Sequence, residues 1–128
     1  MIAVDTSVWV DAFRGVKGIS AALESLLDAR EVALPAPVRV ELLGGASRAD
    51  LPRLRRTFSA LPILYPTQDT WTRVDGFVDR AVASSQRFGF ADLLIAALAA
   101  EQQCSVWSLD KDFARLHRLR LVHLWKPA

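Results

Sequence analysis

Four acidic residues in this chain stand in apolar surroundings, and together they have the chemistry to hold a cation. Asp5 closes the run Met1-Ile2-Ala3-Val4 and precedes Thr6-Ser7-Val8-Trp9. Glu41 interrupts Val38-Arg39-Val40-Glu41-Leu42-Leu43, Asp92 opens the apolar stretch Leu93 to Ala100, and Asp110 follows Val106-Trp107-Ser108-Leu109. An unpaired buried carboxylate is costly or is forced neutral. Such positions are explained together if the four acids converge on one metal ion. Oxygen-only ligands favour a hard cation, Mg²⁺ or Mn²⁺. Zinc fits poorly, because Cys104, His117 and His123 lack zinc-site spacing. A hard divalent ion beside carboxylates is the chemistry of phosphodiester hydrolysis.

Each acid also has a plainer reading. Asp5 or Asp92 could cap a helix, and Asp110 with Asp112 could lie in a solvated turn. Glu41 is hardest to dismiss, because its apolar neighbours imply a helix buried on more than one side. Residues three and four positions later would cover it, and those are Gly44 and Gly45. Two mid-helix glycines cost about 1 kcal/mol each relative to alanine. Either something approaches Glu41 there, or two helices pack tightly at the glycines.

The elements that must position these acids follow from the hydrophobic pattern. Strands are expected over 1–4, 31–34, 62–65, 105–108 and 120–123. Helices are expected over 6–14, 18–29, 36–47, 50–60, 68–87, 92–103 and 111–117. The helix from 68 carries the stripe Trp71, Val74, Phe77, Val78, Ala81 and Val82. Alternating β and α predicts an α/β fold, a parallel sheet covered by helices. Ligands bind such sheets beyond the carboxyl ends of the strands, where the strand order reverses. Asp5 and Asp110 meet in that crevice if the first and fourth strands are neighbours.

Composition sets the limits. With 128 residues and 52% hydrophobic content, the chain fits one domain, 1–128, with a substantial core. Its longest apolar run, Leu93 to Ala100, is far short of the roughly 20 residues of a membrane span. No signal-peptide pattern opens the chain, and Cys104 is its only cysteine, so a cytoplasmic setting is expected. Net charge is only +2, yet thirteen arginines stand against three lysines. Arginine suits phosphate contacts and base stacking, although genome composition alone can produce the bias. Arg48, Arg53, Arg55 and Arg56 form a local cluster that could flank the crevice and grip nucleic-acid phosphates.

The run Val4-Asp5-Thr6-Ser7-Val8-Trp9 resembles the opening of PIN-domain ribonucleases, especially the VapC toxins of bacterial toxin–antitoxin pairs. Three further stretches match in order: Glu41-Leu42-Leu43-Gly44-Gly45-Ala46, Asp92-Leu93-Leu94-Ile95-Ala96-Ala97, and Ser108-Leu109-Asp110-Lys111-Asp112-Phe113. The resemblance implies a three-layer α/β/α fold with a five-stranded parallel sheet of order 3-2-1-4-5. It implies Mg²⁺- or Mn²⁺-dependent cleavage of single-stranded or looped RNA. Asp5, Glu41, Asp92 and Asp110 would be the catalytic and metal-site acids. Ser7 and Ser108 would support them, with Asp112 as a reserve ligand. It also implies a homodimer and a small VapB-like antitoxin. Such a partner could insert an arginine among the acids, with an apolar anchor against Trp9 and Phe13. The alternative is an inactive PIN-like module that only binds RNA or a partner.

Other acid-bearing α/β folds fit less well. A haloacid-dehalogenase-type phosphotransferase needs an Asp at position 7, where this chain has Ser7. A response-regulator receiver needs an Asp after the third strand, and Ile63-Leu64-Tyr65-Pro66 lacks it. A dinucleotide fold needs Gly-x-Gly-x-x-Gly after a strand, which is absent.

Overall fold

The computed structural model describes residues 1–128. Its strands are β1 (Ile2–Val4), β2 (Val32–Pro35), β3 (Ile63–Leu64) and β4 (Ser105–Trp107). Its helices are α1 (Thr6–Phe13), α2 (Ile19–Asp28), α3 (Ala36–Gly45), α4 (Leu51–Ser59), α5 (Gln68–Ala83), α6 (Phe90–Glu101) and α7 (Lys111–Arg118). All pairings are parallel, and the order is β3-β2-β1-β4. From β1 the chain travels outward to β2 and β3, then returns to the other side of β1 as β4. Right-handed crossovers therefore place α1 and α2 on one face and α5 and α6 on the other. Every residue of β1 and β2 is buried, as expected of strands covered on both sides. In α6 the seven residues Leu93 to Ala99 are all buried.

The expected α/β class holds, with one change in the sheet. No strand forms over 120–123. The fifth position is a single parallel bridge, Val106 to Leu124, just past the expected span and shorter than expected. Val106 N–H donates to His123 O, and Trp125 N–H donates to Val106 O, both at 2.8 Å. Leu121 and Val122 are both buried, so they do not alternate between faces as a half-exposed edge strand would. The Val122 carbonyl is also taken up, 3.1 Å from Nδ1 of His117. The tail instead covers the sheet edge, with Trp125 edge-on to Trp107 at 4.9 Å between ring centroids.

Two helices differ instructively from expectation. α5 ends at Ala83 because Ser85 adopts φ +57°, and Gln86 N–H closes back onto Ala81 O. Of its stripe only Val74, Phe77 and Ala81 are buried, while Trp71, Val78 and Val82 remain exposed. The expected stripe was wider than the face that α6 covers. α6 begins at Phe90, two residues earlier than expected, with Gly89 at its N-cap. Asp92 is therefore inside the first turn, where free N–H groups favour negative charge. No helix of the chain is long and apolar enough to cross a membrane.

Candidate metal and nuclease site

The acids collect where the strand order reverses. Val4 pairs with Trp107, and the next amide, Asp5 N–H, donates to Trp107 O at 2.9 Å. This junction of β1 and β4 delivers Asp5, Ser7 and Ser108 to one place. Asp5 is 6% exposed and sits at the N-cap of α1, yet its side chain makes no capping bond. The hydroxyls of Ser7 and Ser108 both donate to its Oδ2, at 2.8 and 2.7 Å. Those hydroxyls accept in turn from Leu109 N–H and Asp110 N–H, each at 3.0 Å. Asp5 is thus fixed through one oxygen, and no hydrogen bond is formed by the other.

Asp92, Asp110 and Asp112 form the tight group, with one carboxylate oxygen from each within 4.8 Å of the others. Asp110 doubles as the N-cap of α7, accepting from Asp112 N–H at 2.9 Å. Burial pushes the Asp92 carboxyl up from 3.8 to about 7, helped by the charges of Asp110, Asp5 and Asp112. All the donors are oxygens, so the group fits a hard divalent cation.

Glu41 does not join that group. It is exposed, at the rim, and accepts from Thr6 Oγ1 at 3.3 Å. The expectation that its helix is buried on two sides is corrected. Only Val38 and Leu42 are fully buried, with Leu43 partly buried against the core, while Val40 is 66% exposed. Residues adjacent in sequence are about 100° apart around a helix, so apolar neighbours do not imply burial. Gly44 and Gly45 make no tight helix contact, since a Cβ added at either would meet nothing within 4 Å. That leaves the approach to Glu41 open.

A cavity of about 310 Å³ adjoins this rim. Thr6, Glu41 and Gly45 line it, with Val10, Phe13 and Leu54 as apolar wall. Of the expected arginine cluster only Arg53 lines it, and Arg53 also pairs with Asp50 at 3.4 Å. Arg48, Arg55 and Arg56 are exposed and lie off its wall, while Arg14, which the local cluster did not include, lines it. Trp9 belongs to the core at 1% exposure, wedged edge-on against Phe58, and offers no partner surface. Phe13 is half exposed and does.

The Asp92 shift has a consequence for stability without metal. Its folded pKa is raised, so the stability it contributes is full below the unfolded value near 3.8 and is lost as pH rises through about 7. The urea midpoint of metal-free protein should therefore fall, relative to Asp92→Asn, between about pH 4 and pH 7. Equal slopes in the two proteins would assign the titration to another group.

Comparison with known proteins agrees with this architecture. A model of the PIN domain family matches residues 2–119. A VapC ribonuclease of Mycobacterium bovis is 33% identical over 133 aligned positions, covering 93% of each chain. Ribonuclease VapC11 of Mycobacterium tuberculosis matches to the same extent. Among solved structures, a FitAB complex bound to a DNA fragment superposes with TM-score 0.81 at 20% identity, covering 99% of this chain and 95% of that one. A toxin–antitoxin complex from Klebsiella pneumoniae gives 0.79 at 22% identity, covering 100% and 98%. At those identities the solved structures speak for the fold alone. The family match across almost the whole chain and the one-third identity to VapC proteins agree: this chain belongs to the PIN domain family, in its VapC branch.

Proposed function

We propose that this protein is a Mg²⁺- or Mn²⁺-dependent endoribonuclease toxin, acting on single-stranded or looped RNA and held inactive by a small VapB-like antitoxin. The observation that carries the reading is the convergence of Asp92, Asp110 and Asp112 oxygens within 4.8 Å, beside the buried Asp5. Asp5, Asp92 and Asp110 would hold the cation, with Asp112 beside them. Bound there, a divalent ion supplies positive charge to the phosphodiester and lowers the pKa of water. The chain's own residues do the positioning. Ser7 and Ser108 fix Asp5, the α6 N-terminus favours ionised Asp92, and exposed Glu41 is free to orient a water from the rim. A nuclease assay on unstructured RNA with and without Mg²⁺ tests the activity. Absent cleavage would favour a module that only binds, and metal-independent cleavage would overturn the role of the cation.

Relatives named VapC ribonucleases support the RNA substrate, and neighbours described as toxin–antitoxin complexes support a protein inhibitor. The cavity beside Glu41 suits that inhibitor, joining the apolar Phe13, Val10 and Leu54 to carboxylates an arginine can pair with. Growth arrest on expression, relieved by the neighbouring small open reading frame, is the expected result. The apolar flank of Trp71, Val78 and Val82, with Phe90 stacked on Trp71, supports a homodimer. Cytoplasmic residence agrees with the single buried thiol, Cys104.

Arginines gripping phosphates make RNA affinity salt-dependent, by about 0.7 log unit per log unit of salt for each contact on single strands. The cavity wall shifts this expectation from Arg55 and Arg56 to Arg14 and Arg53. Arg14→Ala with Arg53→Ala should flatten the slope by about 1.4, measured by fluorescence anisotropy across a salt series. An unchanged slope would return both arginines to the solvated surface.

A further inference from the structure

Asp92 and the pair Asp110–Asp112 approach from different helices, and like charges drive them apart. No strand pairing ties the start of α6 to the start of α7. One guanidinium does. Arg115, on α7, uses each of its three nitrogens on a different partner: Nη1 donates to Asp112 Oδ1 at 2.9 Å, Nε to Gln86 Oε1 at 3.1 Å, and Nη2 to Arg87 O at 3.2 Å. Its plane lies over the Phe88 ring, 4.4 Å from the centroid. Gln86, Arg87 and Phe88 form the loop that leads directly into α6, whose third residue is Asp92. The same group therefore fixes one oxygen of Asp112 and the approach of the segment carrying Asp92.

We propose that Arg115 is a positioning residue that clamps the 86–88 loop to Asp112 and so preorganises the carboxylate group for its cation. The proposal rests on the metal-site reading above, but the clamp can be observed without metal. Simple neutralisation of Asp112 would need only the first contact. The fork to Gln86 and Arg87 needs a planar guanidinium, which lysine cannot supply. Arg115 does not reach the substrate in this role; it acts through Asp112 and the loop.

Two readouts test it. In metal-free protein, Arg115→Gln should speed hydrogen exchange at Leu93 and Leu94, early amides of α6, while β1 and β2 stay protected. Direct Mn²⁺ binding, followed by electron paramagnetic resonance of the free ion, should weaken about 10- to 100-fold, the usual loss for a group that orients metal ligands. Arg115→Lys should recover only a minor part of that loss. Gln86→Ala, which removes one arm and leaves the charge, should show a smaller change of the same sign, and it decides the matter if Arg115→Gln does not fold. Tighter or unchanged Mn²⁺ binding in Arg115→Gln would make the guanidinium a mere competitor of the cation and overturn the clamp. Full recovery by lysine would reduce it to charge and overturn it too. Wild-type protein that binds no Mn²⁺ would refute the metal-site reading instead. The clamp would then stand or fall on exchange at Leu93 and Leu94 alone.

Discussion

Asp5→Asn is expected to lower Mg²⁺-dependent RNA cleavage by at least about a thousandfold while the fold survives. A metal's stabilisation of developing charge is worth several kcal/mol, and each 1.4 kcal/mol is about tenfold in rate. The fold should survive because asparagine keeps the shape and one acceptor. Ser7 and Ser108 can still donate to its amide oxygen, so no buried polar atom is orphaned. Neutralising Asp5 also removes one of the charges that raise Asp92, so Asp92 should titrate lower in the variant. Single-turnover rates at saturating Mg²⁺, with circular dichroism melts alongside, provide the measurement. A variant with full metal-dependent activity would remove Asp5 from the ligand set.

The second large effect is on stability. A cation that binds the folded protein and not the unfolded chain should stabilise it by about 2.7 kcal/mol at a hundred times its dissociation constant. For a domain of this size that is a rise of roughly 10 °C in melting temperature. Asp92→Asn should lose most of the gain, since burial and the neighbouring acids both disfavour ionised Asp92, and a cation offsets both. Calorimetric melts of both proteins across a Mg²⁺ series decide it. Equal rises in wild type and variant would mean that the ion binds away from this group.

The burial of the acids shows how far local sequence reaches. Apolar neighbours correctly marked Asp5 as a buried acid, because it directly follows a short strand covered on both faces and is still bonded to β4. The same signal misled at Glu41, because a helix sends adjacent residues to different sides. It also misled at Asp110, which is exposed, as the turn reading had allowed, and which caps α7. The Arg115 contact to Asp112 was accessible as an i, i+3 pair on a helix. Its reach to Gln86 and Arg87, nearly thirty residues earlier, was not.

By itself the sequence determined the alternation of strands and helices, the family, and the set of acids, since hydrophobic period and ordered motifs are local properties. It also supplied the oxygen donors proposed for the cation, because the ordered motifs carry carboxylates and hydroxyls. Tertiary structure alone decided which acids meet. β1 and β4 lie side by side, so Asp5 shares its hydroxyl partners with the loop before Asp110. α6 starts at Phe90, so Asp92 falls beside Asp112, while Glu41 stays at the rim on α3. The tail became a single bridge with Trp125 on Trp107, and the arginines that line the cavity are Arg14 and Arg53. Each of these outcomes depends on contacts between segments far apart in the chain. Those contacts are set by how the layers pack, and no local window contains both partners.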